Sequence, residues 1–214
     1  MLRRAVDDLA WLLSRGYAEK SALKLVGDRY QLNERQRMGV MRCACSDPAL
    51  ARRREHEADA GSVAGRCLAL DGYNVLTTVE AALAGGMILE GRDGCYRDLA
   101  SMHGSFRKVT ETAPAVELVG RQLEVFQVPR CVWYLDRPVS NSGRLKTIIA
   151  ELAARHGWDW RIDLVNSPDA VLIAGRDIAA TADSVILDRC ARWFNLARQV
   201  VAARVPDARI VRLG

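Results

Sequence analysis

The sequence predicts an α/β fold, in which one three-layer parallel sheet with helices on both faces follows a small all-helical domain. From Val63 onward, short apolar runs typical of buried strands alternate with helical segments, which is the pattern of a parallel sheet. Residues 2–46 instead show only the helical spacing of apolar side chains. The 214 residues, 50% of them hydrophobic, suffice for one substantial core and a small satellite domain.

Three short helices are predicted at the N-terminus. Leu2–Ser14 repeats apolar residues every three or four positions, and Gly16 ends it. Glu19–Val26 is a second amphipathic segment, and Asn33 is the expected N-cap of the third helix, Glu34–Cys45. A helix-turn-helix unit is one interpretation. A helical cap packed on the main domain is favoured, because no recognition helix stands out.

Residues 48–62 are predicted to form a charged linker, because they are poor in large apolar side chains. This divides the chain into a helical domain, 1–47, and an α/β domain, 63–214. The formal net charge is +5, and most of it lies between Glu34 and Arg54, where six Arg minus two acids leave +4. Phosphate contact and a solvated helix face both explain such a basic arm, and the choice stays open.

The α/β domain is predicted to contain five strands and five helices. The strands are expected at Arg66–Leu70, Cys131–Leu135, Trp160–Val165, Ile178–Thr181 and Arg209–Arg212. The helices are expected at Val75–Ala84, Ala115–Phe126, Gly143–His156, Pro168–Ala174 and Ser184–Arg204. Right-handed crossovers make such strands parallel, so their carboxyl ends share one edge, where folds of this class bind ligands.

The cysteines and histidines argue against a zinc site. Six Cys are scattered along the chain, the close pair Cys43 and Cys45 lacks zinc-knuckle spacing, and there are only three His. The chain opens MLRRAVDD and has no apolar run long enough for a signal peptide or a membrane span. We therefore expect a cytoplasmic protein with reduced thiols and no membrane contact.

An aspartate follows three of the predicted strands. Asp71 follows RCLAL, Asp136 follows CVWYL, and Asp183 follows IAAT after one alanine. Each alone is an ordinary turn residue. Three at one sheet edge would repel one another unless a cation neutralised them, and oxygen ligands suit magnesium or manganese. The pattern therefore predicts a metal site formed by Asp71, Asp136 and Asp183.

A fourth aspartate, Asp169, lies at the start of a predicted helix behind Ser167 and Pro168. A favourable interaction with the helix dipole explains it fully. A helix that starts at the same sheet edge would also aim this carboxylate into the crevice. Both interpretations use the same geometry, so both stay open.

Four stretches, in order, resemble the NYN branch of PIN-like nucleases: LALDGYNVL, WYLDRPVSNSG, SPDAVLI and IAATADSVIL. The likeness covers Val63 to Gly214, and the Asp-Gly-Tyr-Asn motif is its most specific part. The whole chain also looks like a two-part family of unknown function, with a helical piece ahead of a PIN-like piece. The resemblance implies a Rossmann-like fold with metal-dependent ribonuclease activity.

Carried over residue by residue, the resemblance implies a catalytic role for four acids that bind Mg²⁺ or Mn²⁺: Asp71, Asp136, Asp169 and Asp183. It also implies that Asn74 helps to orient Asp71, and that Thr181 forms a hydrogen bond within the site.

The chain departs from the family pattern in a long insertion around residues 87–108. PIN domains often take one further acid from this region, and Asp93 and Asp98 are the candidates. The insertion is either a substrate loop near the site or a surface excursion with a short hairpin.

A phosphate-binding helix start is predicted at SNSGRLK, Ser140–Lys146. Free backbone N–H groups there, together with Ser142, Arg144 and Lys146, would suit a phosphate. Ordinary capping of the helix by Ser140 or Ser142 is the slightly favoured alternative.

The predicted function is that of a metal-dependent endoribonuclease acting on RNA. The alternative is an inactive PIN-like module that binds RNA or a protein. A haloacid-dehalogenase phosphatase is set aside, because the position two residues after Asp71 is Tyr73 and not Asp. The sequence gives only weak support for a dinucleotide-binding site, because such sites need a glycine-rich turn after the first strand and DGYNVL holds a single Gly. The helical part either selects the substrate, forms a homodimer or caps the sheet.

Overall fold

The computed structural model describes residues 1–99 and 110–214. Its first five helices are α1 (Leu2–Ser14), α2 (Glu19–Arg29), α3 (Glu34–Cys43), α4 (Asp47–His56) and α5 (Ala60–Val63). Asn33 is the N-cap of α3, as predicted: its side chain accepts from the Gln36 N–H, and the Gln36 side chain accepts from the Asn33 N–H. This reciprocal pair is a capping box, which fixes where α3 begins.

Most of residues 48–62 are helical, although their composition predicted a linker. The side chain of Ser46 caps α4 by accepting from Ala49 N–H at 3.3 Å. Leu50 and Arg53 are buried, and α4 contacts the α/β core, where Trp193 Nε1 donates to the Arg53 carbonyl at 2.8 Å. The domain boundaries at 47 and 63 stay a prediction, but the segment between them is part of the packed structure.

The main sheet has five strands, and every neighbouring pair is parallel. In spatial order they are β5 (Asp159–Val165), β4 (Arg130–Asp136), β1 (Cys67–Asp71), β6 (Ile178–Ala180) and β7 (Trp193–Phe194). Four of them lie within a residue or two of the predicted strands. The fold is therefore mixed α/β with a parallel sheet, as the alternation of strands and helices predicted.

Helices cover both faces of this sheet. Four pack on one face, namely α6 (Gly72–Leu83), α7 (Thr112–Val125), α8 (Ser142–His156) and α11 (Leu196–Arg204). Two short helices lie on the other, α9 (Pro168–Ala174) and α10 (Ser184–Leu187). Alternation along β1 serves both layers, because Leu68 and Leu70 point into the first core while Ala69 points into the second.

Residues Ser184–Arg204 do not form the single helix that was predicted. The segment divides into α10, β7 and α11. Trp193 and Phe194 are almost fully buried, and they pair with Ala179 and Ala180 at the edge of the main sheet. Burial of these two aromatic side chains between helices outweighs the helical pattern of the polar residues around them.

A second sheet was not predicted. Its strands run in the order β3 (Tyr96–Asp98), β2 (Met87–Glu90) and β8 (Arg209–Arg212), with β2 antiparallel to β3 and parallel to β8. The predicted strand at Arg209–Arg212 therefore exists, but outside the main sheet. Val6, Leu9 and Val40 of the N-terminal helices share one core with Leu89 and Leu213. The helices thus cap this small sheet, as the favoured interpretation held.

Within residues 1–99 and 110–214, no helix combines the length and the apolar character needed to cross a bilayer.

Candidate active site

The carboxyl edge of the main sheet carries the predicted acids. β1 ends at Asp71 and β4 ends at Asp136. Two helices begin at the same edge: Asp169 is the second residue of α9, and Asp183 is the N-cap of α10. Four aspartates thus come from four elements, because parallel strands bring their carboxyl ends to one side of the sheet.

Asp71 and Asp136 lie at different positions along the strand direction. Asp71 pairs with Tyr134, so Asp136 lies two residues further along β4. At about 3.3 Å per residue, this stagger is roughly 7 Å. Asp71, Asp169 and Asp183 line one cavity of about 470 Å³, whereas Asp136 is not among the described residues that line it.

Asp71 is the most deeply placed of the four, with only 7% of its surface exposed. Thr181 Oγ1 donates to Asp71 Oδ2 at 2.8 Å, and the same hydroxyl accepts from the Asp183 N–H at 3.0 Å. Burial raises the pKa of Asp71 to about 7. The hydrogen bond from Thr181 opposes that rise in pKa, while the nearby negative charge of Asp183 adds to it.

The other carboxylates share this unfavourable environment. Burial, and then the charge of Asp169, raises the pKa of Asp136. Burial, and then the charge of Asp183, raises the pKa of Asp169. In the part of the chain that the structure describes, none of the four acids, Asp71 included, makes an ion pair with Lys or Arg. Within the described residues, these aspartates therefore form a concentration of negative charge without a cationic partner.

Carboxylate oxygens are suitable ligands for a hard divalent cation, but the described residues do not bring three of these carboxylates to one ion. Among the described residues, no three His, Cys, Asp or Glu side chains are grouped so that they could hold one ion. The predicted trio of Asp71, Asp136 and Asp183 is therefore not assembled as a single ligand set. Magnesium commonly takes one or two carboxylates and keeps several water ligands, and Asp71 with Asp169 or Asp183 fits that description.

Asn74 forms a hydrogen bond with the segment after β6. Its Oδ1 accepts from the Ala182 N–H at 2.7 Å, which fixes the amide orientation because a backbone N–H can only donate. In the next peptide group, Arg97 Nε donates to the Ala182 carbonyl at 2.9 Å. The residue between Thr181 and Asp183 is thus held at both its N–H and its carbonyl.

The two acids proposed from the insertion differ in role. Asp93 accepts from Arg53 Nη1 at 2.6 Å and from Arg97 Nη2 at 2.6 Å, and all three side chains are buried. Although burial alone would raise it, these guanidinium groups hold the pKa of Asp93 well below its usual range. Asp93 is therefore a structural anion and not a site acid. Asp98 is buried and lines the cavity, where it accepts from Thr77 Oγ1 at 3.4 Å.

The predicted phosphate-binding group does not face the cavity. Ser142 is buried and donates to a backbone carbonyl at 3.2 Å, while Arg144 and Lys146 are exposed. None of the three is among the described residues that line the cavity. The capping prediction was also wrong, because the N-cap of α8 is Asn141, in a left-handed conformation with φ 67° and without a side-chain cap.

Part of the cavity wall comes from the N-terminal helices, which sequence reasoning did not connect with the site. Met38, Met41 and Arg42 of α3 and Glu19 of α2 line the cavity together with Asp71. No spacing motif links these residues to the aspartates. Only the packing of α3 on the second sheet brings them to this place.

Comparison with protein families gives a match to each part of the chain. Residues 60–199 match the model of a domain of unknown function, DUF5616, and residues 1–56 match a protein family of unknown function, DUF434. One relative is the uncharacterized protein MJ0935 of Methanocaldococcus jannaschii, 28% identical over 186 residues, which cover 87% of this chain and 88% of that protein. No solved structure matches the chain.

Proposed function

The chain belongs to the DUF5616 family, whose function is unknown, and for this member we propose metal-dependent hydrolysis of RNA phosphodiester bonds. One observation carries the proposal: the buried carboxyl of Asp71 faces a cavity that it shares with Asp169 and Asp183, without a cationic partner among the described residues. The PIN-like fold and the choice of RNA rest on the resemblance of the strand-end motifs to NYN nucleases.

Grouped carboxylates without a cationic partner among the described residues favour binding of a cation. Each buried negative charge costs free energy, and a divalent ion bound by oxygen ligands would offset that cost. We expect Asp71 to hold Mg²⁺ or Mn²⁺ with one of its neighbours on the cavity, Asp169 or Asp183. Bound there, the ion would neutralise charge on a phosphate and make a water molecule more acidic.

The protein's own groups supply position and proton control. Thr181 holds one oxygen of Asp71, so the carboxylate presents its other oxygen in a fixed direction. Asp183 uses Oδ1 to accept from the N–H groups of Val185 and Ile186, which keeps its side chain at the sheet edge. With a pKa near 7, Asp71 is partly protonated at neutral pH, so cation binding must release protons.

The alternative proposal is an inactive PIN-like module that grips RNA or a protein. It is favoured by one observation, that no three-ligand group exists among the described residues. Direct measurement separates the two proposals. Calorimetric titration with Mg²⁺ and Mn²⁺ comes first, followed by cleavage of a generic single-stranded RNA.

The decisive variant is Asp71→Asn, combined with Asp183→Asn in a second protein. We expect each to lose most of the metal affinity and at least about a hundredfold in cleavage rate. Glu80→Gln is the matched control, because Glu80 is also buried, its pKa is also raised to about 7, and it is not among the described residues that line the cavity. Cleavage that survives in the double variant refutes the catalytic assignment. Metal or RNA binding without cleavage in the wild type supports the inactive module.

A further inference from the structure

We infer that helix α3 is a base-binding wall of this site and that it restricts the substrate to unpaired RNA. The inference rests on the proposed function and deepens it, because it assigns the N-terminal helices a part in substrate selection. It concerns two side chains, Met38 and Met41, that no prediction from the sequence connected with the site.

Helix α3 presents two faces with different surroundings. Val40 and Cys43 are buried in the core that joins the N-terminal helices to the second sheet. Met38 and Met41, three residues apart and so on one side of the helix, line the cavity instead. In residues 1–99 and 110–214 neither methionine belongs to a hydrophobic cluster, and each is only partly buried.

Both side chains are apolar, line the cavity and lie outside the hydrophobic clusters that the described residues form, and this arrangement requires an explanation. Methionine is flexible and polarizable, and its sulfur makes favourable contacts with aromatic rings at about 5 Å. Two basic residues, Arg42 and Arg97, are among the described residues that line the cavity, and both are engaged in holding the fold. Arg42 Nη1 donates to the Asp98 carbonyl at 2.5 Å, and Arg97 pairs with Asp93. The α3 side of the cavity therefore offers thioether surface, which suits a flat ring better than a phosphate.

The cavity thus combines two chemistries, carboxylates from the sheet edge and thioethers from α3. One RNA nucleotide combines the matching pair, a phosphate that a bound cation can neutralise and an aromatic base. The volume of about 470 Å³ lies within the range of small-ligand sites, roughly 300–1,000 Å³, and so admits one base and not a helix.

A base inside a duplex cannot reach such a wall without leaving its stack. Extruding it costs a few kcal/mol, whereas the bases of single strands and loops are already available. The arrangement therefore favours single-stranded RNA over duplex RNA of the same sequence.

A double-mutant cycle between the wall and the bases tests the inference. One protein carries Met38→Ala with Met41→Ala, and the matched control carries Met38→Leu with Met41→Leu, which keeps the apolar surface. Each binds a labelled five-nucleotide RNA, the same oligomer made abasic, and the RNA as a duplex. Affinity is measured by fluorescence anisotropy with Ca²⁺ present, and a gel verifies that the RNA stays intact. Melting temperatures check that every variant is folded.

We expect the Ala variant to lose about tenfold in affinity for the single strand, the size of one lost ring contact, and to lose little for the abasic oligomer. The Leu variant should resemble the wild type, and the wild type should bind the duplex at least tenfold more weakly. Equal losses for the normal and abasic oligomers, equal binding of duplex and single strand, or no binding of either oligomer by the wild type would overturn the inference.

Cleavage is scored separately, so that the two proposals can fail independently. If the Ala variant loses affinity only for RNA that carries bases, but the wild type cleaves no RNA with Mg²⁺ or Mn²⁺, the base-binding wall is supported and the nuclease activity is refuted. If the wild type cleaves RNA, but the Ala variant loses the same affinity for normal and abasic RNA, the nuclease activity is supported and the base-binding wall is refuted.

Discussion

Replacing Asp71 by Asn should make the protein less sensitive to alkaline pH. The pKa of Asp71 rises from 3.8 to about 7 on folding, because burial penalises the charged form. The stability contributed by the bound proton is therefore fully present below pH 3.8, and it is lost as the pH rises through 7. Asn is neutral throughout, and its amide oxygen can still accept the hydrogen bond from Thr181.

The magnitude follows from the width of that pH window. In the unfolded chain Asp71 has already lost its proton at pH 5, whereas in the native state it keeps the proton until the pH reaches about 7. The free energy of unfolding therefore falls over about two pH units. At about 1.4 kcal/mol per unit, the wild type should lose about 3 kcal/mol of unfolding free energy that Asp71→Asn retains. Urea unfolding at pH 5, 6, 7 and 8 with EDTA present measures this difference.

Glu80→Gln is the matched control for burial alone. Burial raises the pKa of Glu80 to about 7, and this carboxyl accepts from Thr112 Oγ1 at 2.6 Å. Glu80→Gln should reduce the loss of unfolding free energy between pH 5 and pH 8 by a similar amount. Mg²⁺ at a hundred times its dissociation constant should stabilise Glu80→Gln and the wild type by about 3 kcal/mol at pH 8, and should leave Asp71→Asn nearly unchanged. An Asp71→Asn curve parallel to the wild type, or one equally stabilised by Mg²⁺, refutes the reasoning.

Three further predictions concern the scaffold and the site. Arg53→Met should destabilise the protein by about 3 kcal/mol in urea, because it breaks the buried ion pair with Asp93, whereas Arg54→Met on the exposed side of α4 should stay within about 0.5 kcal/mol. Gly120→Ala should cost about 1–3 kcal/mol, because its Cβ would lie 2.1 Å from the Trp158 ring. Gly143→Ala, with nothing within 4 Å, should instead gain up to about 1 kcal/mol, and equal effects of the two in thermal melts would contradict the packing. The affinity for Mg²⁺, measured by calorimetry, should rise from pH 5 to about pH 7 and then level off, because Asp71, with its pKa raised to about 7, loses its proton over that range. An affinity that does not change with pH would exclude Asp71 as a ligand.

Local patterns predicted the parts of this fold that local physics controls. Apolar runs located β1, β4 and β6, because strands buried between two helical layers are apolar on both faces. The Asn33 capping box located the start of α3 in the same way. The aspartates at the sheet edge followed from the direction of the strands, because parallel strands end on one side.

Local patterns failed where distant contacts outweigh composition. The charged residues 48–62 looked like a linker, but Arg53 in α4 is buried against Asp93 and Asp188, which lie far from it in the chain. The β2–β3 hairpin is not a separate excursion, because β2 pairs with β8 and carries the N-terminal helices. No single-residue signal announces such partners.

By itself, the sequence determined the alternation of strands and helices and the presence of three aspartates at one edge of a parallel sheet, and it left the place of Asp169 open. The tertiary structure alone decided which of them share a cavity. Asp136 is not among the described residues that line the cavity, because β4 runs two residues past Asp71, and register depends on the pairing between strands. It also decided that Met38 and Met41 face the acids, because the packing of α3 on a second sheet sets that wall.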